Sequence, residues 1–153
     1  MTDIQSNYLT LADGQKMPQQ DFGVYKLTDS ATFTQTIKDA YEGGYRLFDT
    51  AQMYGNEADL GTALKSLNVD RDDYFITTKV AEKNQGYQSA IDSVKVSLRK
   101  LQLDYVNLLL VHWPINGHFF ETWQAFEDMK KEGLTKSIGV SNYGMVHLQY
   151  LAT

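Results

Sequence analysis

Gly44-Tyr45-Arg46-Leu47-Phe48-Asp49-Thr50-Ala51-Gln52-Met53-Tyr54-Gly55-Asn56-Glu57-Ala58-Asp59-Leu60-Gly61 reads as a buried strand, a polar loop and the first turn of a helix. Leu47 and Phe48 form an apolar run too short for a helix, behind the breaker pair Gly43-Gly44. Asp49 ends the run, and a carboxylate at the end of a buried strand is costly unless something pairs with it. Tyr54 follows in the loop. Asn56 is placed to cap a helix whose apolar positions are Leu60, Ala63, Leu64 and Leu67. An acid and a phenol therefore reach the same end of one strand.

Working outward, the chain repeats this pattern. Upstream, Tyr8-Leu9-Thr10-Leu11, Asp13-Gly14 and Lys16-Met17-Pro18 predict a small hairpin, Asp-Gly being a strong tight-turn signal. Phe22-Gly23-Val24-Tyr25 predicts a short strand. Asp29 or Ser30 caps a helix with Phe33, Ile37, Ala40 and Tyr41 on its apolar face, closed by Gly43-Gly44. Downstream, residues 74–80 are β-branched and aromatic, hence a strand. Ile91, Val94, Leu98 and Leu101 mark a helical stripe. Residues 105–111 are apolar on both faces except for Asn107, which suits a parallel strand covered on both sides. Trp123, Phe126 and Met129 line another helix, with Lys130 and Lys131 at its C-terminus and Gly133 at its stop. Ser137-Ile138-Gly139-Val140 is a further strand, and Leu148 and Leu151 begin a last helix.

A hairpin followed by about five βα units means a parallel sheet with right-handed crossovers. Two architectures fit, a doubly wound sheet and a (β/α)8 barrel. A doubly wound nucleotide fold carries a Gly-rich fingerprint after its first strand. Phe22-Gly23-Val24-Tyr25-Lys26 is not one, and the barrel is preferred.

Composition sets the outer bounds. The 153 residues are 42% hydrophobic, which suits one globular domain, and no composition shift marks a linker. Cysteine is absent, which excludes disulfides and thiolate metal sites and fits a reducing compartment such as the cytoplasm. The opening Met1-Thr2-Asp3-Ile4-Gln5 lacks the basic and apolar blocks of a signal peptide. Residues 108–111 form the longest aliphatic block, far short of a membrane span. A net charge of -5 argues against nucleic-acid and anionic-membrane partners.

In a barrel the chemistry sits at the C-terminal ends of the strands. Those ends carry Tyr25; Asp49 with Tyr54 just beyond; Lys79; His112 with Trp113; and Ser141-Asn142. A free phenol, with a pKa of roughly 10, is a poor acid at neutral pH. A neighbouring ammonium favours the phenolate, and a carboxylate keeps that ammonium charged and in place. A histidine beside them can hydrogen-bond a substrate oxygen. The set makes a proton-donor site aimed at a carbonyl, which still requires a hydride source. A metal route is not expected. Each residue also has a plain structural reading. Asp49 and Lys79 form an ion pair, Tyr54 is one of 10 tyrosines, and His112 is a hydrogen-bonded core histidine. Ser141-Asn142 caps a helix, and Tyr25 and Trp113 are packing aromatics. His118 and His147 are read as surface or packing residues. Convergence on one rim favours the functional reading.

These segments resemble the aldo-keto reductase family. Gly44-Tyr45-Arg46, Phe48-Asp49-Thr50-Ala51, Glu57 and Leu60-Gly61 match its first signature, and Ile138-Gly139-Val140-Ser141-Asn142-Tyr143 its second. Thr77-Thr78-Lys79 and Leu109-Leu110-Val111-His112-Trp113-Pro114 are also family-like. The resemblance implies a (β/α)8 barrel with an N-terminal hairpin closing its bottom. It further implies NADPH, less often NADH, bound without a Rossmann domain, for reduction of a small-molecule aldehyde or ketone. Tyr54 would donate the proton, Lys79 would activate it, Asp49 would pair with Lys79, and His112 would orient the carbonyl. Ser141 and Asn142 would hold the nicotinamide carboxamide, with Gly23, Val24 and Asp49 also on the cofactor. Tyr25 and Trp113, with His112, would wall the substrate pocket. The Gly-Val-Tyr after the first strand is closest to the bacterial 2,5-diketogluconate reductase-like branch.

Two departures stand out. Gln20-Asp21 replaces the family's Leu-Gly, and a charge there is expected to strain the first strand. A barrel also needs about 250 residues. The resemblance therefore makes residues 1–153 an N-terminal portion truncated after about five βα units, without the family's later cofactor-gripping elements. An open half-barrel would leave two sheet edges free and expose apolar surface over 108–111. The full-length form is expected to be a monomer and the fragment to self-associate. A catalytically inactive half-barrel that binds itself or a partner is the alternative. A lyase using Lys79 as a Schiff-base amine is a third reading.

Overall fold

The computed structural model describes residues 7–153. The opening Met1-Thr2-Asp3-Ile4-Gln5, read above for its lack of signal-peptide blocks, lies outside them. Strands β1 (Tyr8–Thr10) and β2 (Lys16–Pro18) form the expected antiparallel hairpin, Leu9 opposite Met17. Five parallel strands follow: β3 (Asp21–Gly23), β4 (Leu47–Asp49), β5 (Phe75–Val80), β6 (Val106–Val111) and β7 (Thr135–Val140). Helices α1 (Ser30–Glu42), α2 (Glu57–Ser66), α3 (Tyr87–Leu101) and α4 (Phe119–Lys131) connect them, and α5 (Met145–Leu151) comes after β7.

The order in the sheet is strictly sequential, β3-β4-β5-β6-β7. A doubly wound sheet reverses its strand order at a switch point. None occurs here, so the topology is that of a barrel wall. Consecutive helices pack on one another, α1 on α2, α2 on α3 and α3 on α4. The core lies between these helices and the outer face of the sheet. Phe48, Ile76, Leu109 and Val111 meet Phe33, Ile37, Leu60, Leu64, Val94, Leu98, Phe126 and Met129 there, all buried. The expected exposure of 108–111 holds for one face only. Leu108 and Leu110, on the inner face, are half-buried, whereas Leu109 and Val111 lie under the helices.

Local chemistry sets the boundaries. Of the two candidate caps for α1, Asp29 acts, its carboxylate accepting from the Ala31 N–H at 3.0 Å. Asn56 precedes α2, but its side chain does not cap it. Asn107, the polar break in β6, accepts from the Ile76 N–H at 2.9 Å and from Arg71 at 2.7 Å. The first barrel strand is Asp21–Gly23 rather than 22–25, because the Leu27 N–H closes a turn onto the Val24 carbonyl at 3.0 Å and leads the chain off the sheet. Asp13, in the hairpin turn, accepts from Lys130 Nζ at 2.7 Å and Ser137 Oγ at 2.8 Å. The hairpin thereby lies across the strand N-termini, opposite the rim that carries Asp49 and Lys79. Among the described residues no helix is long and apolar enough to cross a membrane.

Candidate active site

The parallel register brings the rim together. Asp49 pairs with Gly23 on one side and Thr77 on the other, and Lys79 stands two residues beyond Thr77 on the same face. Lys79 is only 7% exposed. Its ammonium contacts the Asp49 carboxylate and donates to the Thr50 carbonyl at 3.1 Å and to the Tyr54 hydroxyl oxygen at 3.3 Å. An ammonium has three protons and no acceptor, so these three partners use all of it. Tyr54 receives a hydrogen bond from Lys79 and keeps its own O–H proton free to donate elsewhere. The same arrangement disfavours Lys79 as a Schiff-base amine, since an ammonium held by a carboxylate has no lone pair to attack with.

Tyr54 lies against its predicted neighbours. Its ring centroid is 4.9 Å from that of Tyr25 and 5.8 Å, edge-on, from that of His112. His112 stacks on Trp113 at 6.3 Å. These four with Met53 line a cleft of about 350 Å³. Tyr25 and Trp113 are 64% and 45% exposed, as pocket walls rather than core aromatics. Burial, and then the Lys79 charge, lower the His112 pKa, so the imidazole is neutral at pH 7. Its Nδ1 is buried with no hydrogen-bond partner among the described residues, which leaves Nε2 to meet a ligand. This is not the hydrogen-bonded core histidine of the plain reading.

Ser141 and Asn142 follow β7 and do not cap α5, whose N-cap is Gly144. The Ser141 N–H donates to the Val111 carbonyl at 2.8 Å. Asn142 has a left-handed backbone, φ 62°, which asparagine tolerates. Its amide nitrogen donates to the His112 carbonyl at 2.8 Å and to Ser141 Oγ at 3.0 Å. The Asn142 amide oxygen and the Ser141 hydroxyl proton remain available, one acceptor and one donor. A primary carboxamide has the complementary pair. A Cβ built on Gly23 would meet nothing within 4 Å, so the space above that strand end, beside Asp49, is open. The residues present therefore fit a nicotinamide ring. Val24 does not belong to this set. Its side chain is fully buried in the core, its N–H donates to the Asp49 carbonyl at 3.0 Å, and its carbonyl accepts from Asn56 at 2.9 Å. No group of Val24 is left for a ligand.

One residue escaped the sequence reading, and two others take roles that differ from it or sharpen it. Met53 forms part of the cleft and is 56% exposed; its place immediately before Tyr54 was the available signal. Asn56 accepts from Thr50 Oγ1 at 2.9 Å and donates to the Val24 and Leu27 carbonyls at 2.9 and 3.1 Å. It ties the loops after β3 and β4 together, and no local signal distinguishes that role from a cap. Asp21 sits on the face of β3 that carries Gly23, one strand away from Asp49. Asp21 is exposed, yet partial desolvation by the protein around it, and then the Asp49 charge, push its carboxyl up to about 6. His147 packs on Phe119 and Tyr143, and His118 lies beside Glu121; neither lines the cleft.

Residues 20–153 match the family model described as "Aldo/keto reductase family". The chain belongs to the aldo/keto reductase family. It is 44% identical over 145 residues to the methylglyoxal reductase DkgA of Escherichia coli O157:H7, covering 94% of this chain and 52% of that one. Among solved structures it superposes on the Bombyx mori aldo-keto reductase AKR2E4 in complex with NADP, with a TM-score of 0.89 and 30% identity over 97% of this chain and 54% of that one. A candidate 2,5-diketo-D-gluconic acid reductase B matches with a TM-score of 0.87 and 35% identity, over 97% of this chain and 53% of that one. The chain spans about half the length of the curated relatives it matches.

Proposed function

We propose that this chain carries the proton-donor half of a nicotinamide-dependent reductase of small aldehydes and ketones, with Tyr54 as the acid. The observation that carries the reading is the Lys79 ammonium, shared among Asp49, the Thr50 carbonyl and the Tyr54 oxygen, which turns the Tyr54 proton outward. NADPH, less often NADH, supplies the hydride when bound, as the NADP complex of the Bombyx mori relative suggests. Ser141 and Asn142 would hold its carboxamide, with Gly23 and Asp49 beside the ring. Tyr54 gives its proton to the carbonyl oxygen, and Lys79 stabilises the phenolate that remains. Neutral His112 directs an Nε2 proton at the same oxygen and orients it. Tyr25, Met53 and Trp113 exclude water from one side of the cleft.

In this reading residues 1–153 contribute the hairpin and first five βα units of an eight-unit barrel that acts as a monomer in the cytoplasm. The lack of cysteine supports that location. Methylglyoxal and NADPH are the first substrates to assay, given the E. coli relative. Tyr54→Phe should lower turnover about 10²–10⁴-fold, the usual contribution of a general acid, with NADPH affinity unchanged. Retained turnover in that variant would remove Tyr54 from the chemistry.

A second reading has its own observation. Met145 and Val146 on α5 are 71% and 75% exposed, and among the described residues β7 pairs only with β6, leaving its other edge unpaired. That surface suits a catalytically inactive half-barrel that associates with a second copy. Titration of residues 1–153 with NADPH separates the two: micromolar binding favours the reductase, and a dimer that ignores NADPH favours the alternative.

A further inference from the structure

Gln52 and Glu57 are polar residues of the organising loop that the proposed chemistry leaves unused. Gln52 precedes Tyr54 by two positions, and Glu57 follows it by three. The Gln52 amide oxygen accepts from the Ala81 N–H at 2.9 Å and from Asn84 Nδ2 at 2.8 Å. Its amide nitrogen donates to Ser93 Oγ at 3.0 Å and Ser97 Oγ at 3.2 Å. Because a backbone N–H can only donate, the amide orientation is fixed, and all four of its hydrogen-bonding positions are filled. Glu57 is 3% exposed and accepts from Thr78 Oγ1 at 2.7 Å. The hydroxyl of Ser97, which is 1% exposed, lies close enough to the Glu57 carboxylate to favour its ionised form.

The partners bracket Lys79. Thr78 lies immediately before it and Ala81 two positions after it. Gln52 and Glu57 thus bind both flanks of the Tyr54 loop to both flanks of the strand end that carries Lys79. Ser97 on α3 accepts from Gln52 and lies beside the Glu57 carboxylate, so it sits between the two grips. All of these contacts are on the outer, helix-facing side of the sheet, behind the cleft.

We infer that Gln52 and Glu57 are positioning residues that hold the Tyr54 phenol against the Lys79 ammonium from outside the barrel wall. The inference rests on the proposed role of that pair, but the contact can be measured without turnover. A hydrogen-bonded chain of this kind stiffens its members together, because each bond polarises the next. A loop tethered only by its backbone would let the Tyr54 oxygen drift from Lys79, and displacements of about 1 Å at a reacting group cost on the order of 10²-fold in rate. Burial pushes the Glu57 carboxyl up, while the hydroxyls of Thr78 and Ser97, and Lys100, act in the opposite sense.

The test is the nuclear Overhauser cross-peak between the Lys79 side-chain methylenes and the Tyr54 ring, in residues 1–153 carrying isotope-labelled lysine and tyrosine. Gln52→Ala and Glu57→Ala should lose it. Glu57→Gln should keep it, since its amide oxygen still accepts from Thr78 and its nitrogen can donate to Ser97. A purely structural role would lower the melting temperature and leave the cross-peak intact. Undiminished cross-peaks in both alanine variants, or their loss in Glu57→Gln as well, would overturn the inference. Should either alanine variant fail to fold, the Ser93→Ala, Ser97→Ala double variant decides in its place, alanine being favourable in a helix. It cuts Gln52 from α3 and should weaken the cross-peak; an unchanged signal counts against the brace. Failure of the complete eight-unit barrel to reduce methylglyoxal and other small aldehydes or ketones with NADPH, with the cross-peaks behaving as described, would refute the proposed activity and leave the brace standing.

Discussion

Replacing Asp21 by asparagine should stabilise the fold at neutral pH and make no difference in acid. Asp21 shares its face of the first barrel strand with Gly23, which pairs with Asp49, so ionised Asp21 adds a second negative charge near the Asp49–Lys79 pair. Its carboxyl is pushed from the ordinary 3.8 up to about 6 by partial desolvation and by Asp49, with Lys79 opposing, although the residue is exposed. Because the folded protein binds that proton more tightly than the unfolded chain, the stabilising contribution is complete below pH 3.8. It is lost as the pH rises through about 6. A full conversion of that shift is about 3 kcal/mol. The side chain is open to solvent on one side, and screening reduces the expected penalty to about 1 kcal/mol. Asp21→Asn keeps the size and the polarity and removes the charge. Urea unfolding followed by circular dichroism should show the variant more stable by about 1 kcal/mol at pH 7, with the gap closing toward pH 4. A variant no more stable at pH 7, or a gap that persists unchanged to pH 4, would refute the electrostatic reasoning.

Two further substitutions probe the scaffold. Gly61→Ala should destabilise the chain by about 1–3 kcal/mol in the same assay, because the added Cβ would lie 2.7 Å from the Leu101 carbonyl carbon and oxygen, and backbone cannot yield as a side chain would. Asn56→Ala removes two buried hydrogen bonds and one part-buried one, and leaves the Val24 and Leu27 carbonyls without that donor. It should cost about 2–4 kcal/mol and raise amide exchange over residues 24–28, whereas Asn56→Ala exchanging there like the parent would show that the tie is dispensable.

Much of the site was legible because strand ends are legible. β5 and β6 announce themselves by β-branched and apolar runs, and in a sequential parallel sheet the residues at their ends share one rim. Asp49, Tyr54, Lys79 and His112 needed no more than that. Residues whose roles depend on a distant partner were not legible. Asn56 has the spacing of a cap, yet the loop after β3 returns to it and its side chain serves Val24 and Leu27 instead. Val24 follows Gly23 at the rim, but the turn at residues 24–27 rotates it into the core. Gln52 looks like any loop amide until α3 and the loop after β5 supply its four partners.

By itself, the order of residues determined the alternation of strand and helix, the polarity of each strand end and the family signature, because those follow from local periodicity and from which side chains a short buried strand can carry. Only the tertiary structure decided that the strands lie in sequential order, that one ammonium serves a carboxylate, a carbonyl and a phenol, and that an outer layer of amide, hydroxyl and carboxylate stands behind them. Those contacts join residues about 30 positions apart. Hydrogen-bond partners at such separations are selected by the packing of whole elements, which no local pattern encodes.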